Sequence, residues 1–213
     1  MYGTGFLPTD DVNIYYIERD DLYLTGTAEV ALAAIHMGES LDEVPIRYAG
    51  FSTNFRREAG AAGKDTRGMF RVHQFDKVEM YSFVEPESSG EEHEFLLAVE
   101  EELVQELAVP YRVVNVAAGD LGASAAKKYD IEAWFPGQQR YREITSTSNT
   151  TDFQARRLNI KAGGRLVHTL NGTAVTARAL IAIIENFQEE DGSVSVPPVL
   201  EEFGAPRKVG SVA

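Results

Sequence analysis

The sequence contains no cysteine. That excludes disulfide cross-links, thiolate zinc centres and a cysteine nucleophile, and it agrees with an intracellular chain. No apolar run approaches the roughly 20 residues of a membrane-spanning helix. The first residues, MYGTGFLPTDD, lack the basic and apolar regions of a secretion signal. A cytoplasmic protein without a membrane partner is therefore expected. Positive charge is also scarce, with 20 Lys and Arg against 33 Asp and Glu and a formal net charge of −13. Such a molecule repels a polyanion at long range, so any nucleic-acid contact must be local. Internal repeats and low-complexity tracts are missing too, and 213 residues at 44% hydrophobic composition can bury the core of one domain.

Much of the acid belongs to one segment, EPESSGEEHEFLLAVEEELVQEL, residues 85–107. Phe95, Val99, Leu103 and Leu107 recur there at four-residue spacing, which predicts an amphipathic helix with the acids on its solvated side. Ser88 with Glu91, or Ser89 with Glu92, supplies a capping box, and Pro110 stands just beyond the end.

The most charged stretch is NFRREAGAAGKDTRGMFRVHQFDKVEM, residues 54–80. Strand-like composition on both sides of GAAGKDTRG, residues 60–68, predicts a long antiparallel hairpin with a mobile tip. Alternation puts Arg56 and Glu58 on one face, and Arg71, Phe75 and Glu79 on one face of the returning strand. Phe70, Val72, Val78 and Met80 take the other face, which suits a core. A solvated surface with cross-strand ion pairs would explain an arbitrary hairpin of this kind. Here, an aromatic ring among arginines spaced along two strands looks instead like a cradle for a planar base and its phosphates.

FRREAGAAGKDTRGMFRVHQFDKVEM resembles motif 2 of the class II aminoacyl-tRNA synthetases, and in detail that of the bacterial seryl-tRNA synthetases. LTGTAEVALAAIH is similar to their serine-site segment. YREITSTSNTTDFQARR is similar to the strand and loop before motif 3, and LNGTAVTARALIAIIENFQ to motif 3 itself. The four signatures stand in the family's order, and the resemblance extends over nearly the whole chain.

The resemblance implies a fold and a reaction. The fold is α/β in the broad sense, a mainly antiparallel sheet flanked by helices. It spans residues 1–190, with motif 2 at about 47–83 and motif 3 at about 168–188, followed by a C-terminal tail, 191–213. The reaction is activation of L-serine by ATP and transfer to tRNA(Ser), with Mg2+ as the metal. Thr27, Ala28 and Glu29 would line the serine pocket together with Arg56, Glu79, Asn171 and Thr173. ATP would be held by Arg56, Arg57, Glu58, Arg71, Val72, Phe75, Glu143, Ile144, Thr145, Ser146 and Arg178. Arg56 and Arg178 would act on the reacting phosphates, with Glu143 and Ser146 as metal ligands. Read without the resemblance, Thr27 and Glu29 equally suit a helix N-terminus. Simple alternation puts Glu143 and Ser146 on opposite faces, so joint ligation requires a bulge or a strand end there. Lys64 and Arg67 in the hairpin tip would meet the tRNA acceptor end.

Two departures accompany the resemblance. Between Thr173 and Arg178 the chain is one residue shorter than the family pattern, which is expected to change the aim of Arg178. The helical arm that grips tRNA and the motif 1 segment that builds the family's homodimer are not in the sequence. It therefore reads as a truncated product, an excised core or a fragment with its partner encoded elsewhere. An amino acid:carrier-protein ligase and a non-catalytic paralogue stay as alternatives. The missing cysteine speaks against the first, and the intact charged residues speak against the second.

Overall fold

Alternating apolar and polar residues on both arms of the predicted hairpin form the first two strands of a six-stranded sheet in this computed structural model, which describes residues 1–8, 10–59 and 69–210. The strands are β1 (Ile46–Phe55), β2 (Gln74–Val84), β3 (Tyr111–Asn115), β4 (Lys127–Phe135), β5 (Arg140–Thr151) and β6 (His168–Thr176). Their order is β1-β2-β6-β5-β4-β3, every neighbouring pair antiparallel. The expected sheet with flanking helices is thus present. The hairpin tip, with Lys64 and Arg67, lies outside the described residues.

Helix α1 (Glu29–Ala34) and helix α3 (Phe153–Leu158) cover one face of the sheet, where Leu32, Ala33, Tyr81, Phe83, Ala155 and Ile160 form one core cluster. Helix α2 (Ser89–Glu106) packs on the opposite face against β6 and β5. Helix α4 (Ala177–Asn186) follows β6 directly and closes a second cluster with Ile131, Ala133, Phe135 and Ile144.

Helix α2 forms where its periodicity predicts, but its buried stripe is rotated from the expected one. The residues turned to the sheet are His93, Leu96, Leu97, Glu100 and Val104, whereas Phe95 is exposed and lies under the Arg47 guanidinium, 4.4 Å from ring centroid to Cζ. The capping box is not made. Ser89 Oγ instead donates to the Pro86 carbonyl, because a short 3-10 turn, Pro86–Ser88, leads into the helix.

The segment after residue 190 folds back on the core. Val194–Ser195 pairs with Lys208–Val209, and Val194 is buried beside Ile183. Among the described residues no helix is long and apolar enough to cross a membrane.

Candidate active site

The α1/α3 face of the sheet opens into a cavity of about 370 Å³. Its floor is built by strand parity. Phe75, Lys77 and Glu79 alternate on β2, Asn171 and Thr173 on β6, Ser146 and Ser148 on β5, and Lys128 on β4. The expected site residues Thr27, Glu29, Arg56, Glu58, Arg71 and Val72 line the same cavity, as do Ile144, Thr145 and Arg178. Arg56 and Glu58 lie just past the end of β1, so the turn out of the strand rather than the strand itself aims them.

Two expected residues are elsewhere. Ala28 is packed in the core with Leu32 and Tyr81, because the start of α1 turns its methyl inward. Arg57 is exposed, and its backbone N–H donates to the Asn13 carbonyl at 2.8 Å.

One end of the cavity is acidic and closed. Glu79, fully buried, accepts from Asn171 Nδ2 at 3.0 Å and from Thr173 Oγ1 at 3.2 Å, and it pairs with Lys77. Glu29 accepts from Gln154 Nε2 at 2.7 Å, while Gln154 is itself fixed by the Tyr81 and Thr169 hydroxyls. Burial, with Glu79 nearby, pushes the Glu29 carboxyl up to about 7, although Gln154, Lys77 and Arg56 oppose the shift. Thr27 also performs the local task a helix start asks of it, since its Oγ1 accepts from the Glu29 N–H at 3.3 Å.

The other end is basic and open. Arg56 Nε donates to the Gly26 carbonyl at 3.1 Å, and its Cζ stands 5.3 Å from the Phe75 ring centroid. Arg71 pairs with Glu58, which adopts a left-handed backbone at φ 55°. Arg178 leaves the first turn of α4, where Thr176 Oγ1 caps the helix by accepting from the Arg178 N–H at 3.2 Å. Its Nη1 donates to the Glu143 carbonyl at 3.0 Å, and the side chain lines the cavity, not turned away from it as the resemblance led one to expect. Burial lowers the Arg178 guanidinium from its ordinary range, and nearby Arg142, Arg56 and Arg71 lower it further while Glu143 opposes them. Such a concentration of guanidinium groups suits an anion that carries several charges.

The register supplies the bulge that Glu143 and Ser146 require. Ile131 pairs with Thr145 and Glu132 with Glu143, leaving Ile144 as the extra residue, so both oxygen side chains reach the cavity. Among the described residues no cluster of three or more His, Asp or Glu would hold a metal unaided. One carboxylate and one hydroxyl do suit a hard cation that keeps waters and takes the rest of its oxygens from phosphates.

Sequence reasoning missed several lining residues, among them Lys128 and Ser148 on the floor, and two others show why. Lys77 shares the parity of Phe75 and Glu79 and is only 7% exposed, with Nζ 3.4 Å from Thr173 Oγ1. Parity was the available signal for it, but a lysine between two acids resembles a solvated face. Phe70, assigned by alternation to the core, lies in the cavity wall under Arg142 and Arg178, whose Cζ atoms stand 3.9 and 4.6 Å from its centroid. It precedes β2, so strand alternation does not govern it.

The family model for the tRNA synthetase class II core domain (G, H, P, S and T) matches residues 15–187. A serine–tRNA ligase of Micrococcus luteus is 57% identical over 214 residues, covering 95% of this chain and 50% of its own length. One from Thermobifida fusca is 57% identical over 210 residues, with the same coverage, 95% and 50%. Thus the chain spans about half the length of the curated relatives it matches. The crystal structure of seryl-tRNA synthetase from Pyrococcus horikoshii complexed with ATP superposes with a TM-score of 0.94 at 52% identity, over 99% of this chain and 49% of the other. The cytoplasmic serine–tRNA ligase from Naegleria fowleri in complex with AMP gives 0.93 at 42% identity, over 100% and 53%.

Proposed function

The chain belongs to the class II tRNA synthetase core family, and from that premise we propose that it activates L-serine with ATP and passes the seryl group to tRNA(Ser). The observation that carries this reading is the joining, in one cavity, of a closed acidic end and an open arginine-rich end. An amino acid with a cationic ammonium and a small hydroxyl side chain fits the first. A nucleoside triphosphate fits the second.

Glu29 and Thr27 take the serine ammonium, and Glu79 takes the hydroxyl. Asn171, Thr173 and Lys77 hold Glu79 in place before any ligand enters. Phe75 stacks on adenine, Glu58 accepts from its amino group, and Val72, Ile144 and Thr145 complete the nucleotide wall. Arg71 and Arg178 meet the outer phosphates. Arg56 lies between the two ends. As a serine carboxylate oxygen attacks the α-phosphorus, one P–O bond forms, the bond to pyrophosphate breaks, and negative charge gathers on the phosphoryl oxygens. A guanidinium already fixed by the Gly26 carbonyl stabilises that charge with little reorganisation. Seryl-adenylate and pyrophosphate result. The terminal ribose hydroxyl of the tRNA then attacks the mixed anhydride and AMP leaves. Glu143 and Ser146 would hold Mg2+, which supplies charge neutralisation to the phosphates when bound.

Serine-dependent pyrophosphate exchange tests the reading. Alanine leaves Glu79 and Thr173 without a hydroxyl partner and is rejected on the order of 10⁴-fold, whereas threonine is excluded less firmly, by the fit of one methyl group. Equal exchange with alanine would sink the serine assignment.

A further inference from the structure

Behind the acidic end of the cavity, on the other side of the sheet, α2 presents a carboxyl group to the core. Glu100 is completely buried, and neither of its carboxylate oxygens completes a hydrogen bond. Its neighbours across the sheet are specific. A Cβ on Gly172 would come within 2.9 Å of Glu100 Oε1 and 3.2 Å of Thr147 Oγ1, so the glycine makes the room the carboxyl occupies. Gly172 stands between Asn171 and Thr173, the two residues that hold Glu79. The same segment is already tied from behind. Thr147 Oγ1 donates to the Asn171 carbonyl at 3.0 Å, and Thr145 Oγ1 donates to the Thr173 carbonyl. The Thr145 hydroxyl lies beside Glu100, and while its proton goes to the Thr173 carbonyl it turns lone pairs towards the carboxyl group.

We propose that Glu100 is a positioning residue for the amino-acid pocket: as a neutral acid it donates to Thr145 Oγ1, completing a relay from α2 through Thr145 to the Thr173 carbonyl that fixes the strand segment carrying Asn171 and Thr173. An ionised Glu100 would instead draw the Thr145 proton away from the Thr173 carbonyl and break the relay. Burial raises the Glu100 carboxyl well above the usual carboxylate range, and Glu79 from β2 and Asp130 from β4 raise it further, against the Thr145 hydroxyl and the Thr173 backbone. The charged groups opposite are themselves paired, Glu79 with Lys77 and Asp130 with Lys128. His93, two turns earlier on the same face of α2, points Nε2 at the Thr147 carbonyl, 3.1 Å away. No cation is therefore available to stabilise a Glu100 carboxylate among these partners. The relay rests on the serine reading for its ligand, though not for its chemistry.

The test compares Glu100→Gln and Glu100→Ala with the unaltered chain, reading serine and ATP affinities by calorimetry and melting temperature as a function of pH. Glu100→Ala weakens serine binding about three- to tenfold, the scale of one buried hydrogen bond, and weakens ATP binding less. Glu100→Gln, whose amide N–H replaces the acid O–H, retains serine affinity. A carboxyl raised on folding costs stability as pH climbs from the unfolded value towards the folded one. Glu100→Gln therefore melts above the unaltered chain near neutral pH, and the gap closes as pH falls towards 4.5. Equal loss of serine affinity in both variants, or a melting difference that does not change with pH, overturns the proposal. If Glu100→Ala fails to fold, the Gln variant and its pH series decide alone. Absence of serine binding by the unaltered chain overturns the serine reading and the positioning role together, while the pH series still settles whether Glu100 is a neutral donor.

Discussion

At the scale of the residue, Arg56 and Arg57 differ by one position and face different surroundings. The first lines the cavity and is fixed by a backbone carbonyl, and the second is exposed. Arg56→Ala is expected to lower pyrophosphate exchange by roughly 10² to 10³, the loss that follows removal of one donor to a developing oxyanion. Arg57→Ala should stay close to the unaltered rate, and comparable losses would refute the division of labour. Glu29 gives a second expectation. With burial, and then Glu79, pushing its carboxyl up to about 7, it is largely neutral below that pH and offers a serine ammonium little charge. Serine affinity should rise as pH passes upward through 7 and level off above it. Glu29→Gln should bind weakly with no such rise, as titration calorimetry across the range would show. Most of the cavity lining was legible from the four signatures, and at Arg56, Glu58, Arg71, Phe75 and Glu79 parity and resemblance pointed to the same side chains. Ala28 was not, since the resemblance names the tripeptide and only the turn into α1 decides which of the three points outward.

At the scale of the element, α2 shows where periodicity misleads. Large apolar residues at 95, 99, 103 and 107 define a stripe, yet the face that meets the sheet runs through 93, 96, 97, 100 and 104. A charged residue and a histidine on that face lowered its apparent hydrophobicity, and Phe95 has a different occupation beneath Arg47. Leu96→Ala should cost about 2–5 kcal/mol in denaturant unfolding, as buried leucines do. Phe95→Ala should cost about 0.5–1 kcal/mol, the value of an exposed cation–π contact. The reverse order would restore the stripe read from sequence. The β5 bulge is the opposite case. Its need was legible, because Glu143 and Ser146 could not otherwise share a face, but only the register places the extra residue at Ile144.

At the scale of the molecule, a net charge of −13 opposes a nucleic acid far more than it opposes ATP drawn into an arginine-lined cavity. The transfer to tRNA proposed above would rest on a few local cation–phosphate contacts, which salt weakens, so it should fail first as salt is raised, while pyrophosphate exchange persists. Parallel assays on one preparation would show it, and salt-resistant charging would contradict it. The strand order has another consequence, for how the chain reaches this state. The last strand of this sheet in chain order, β6, lies in its middle between β2 and β5, pairing with residues some 90 positions earlier. Until it inserts, the earlier strands can pair only as two separate ribbons with bare edges, with Glu79 on the first, Glu143 and Ser146 on the second, and Asn171 and Thr173 on neither. Binding competence thus arrives in one late, non-local step, and a ribosome stalled before residue 168 would display a chain with most of its charged site residues and no pocket.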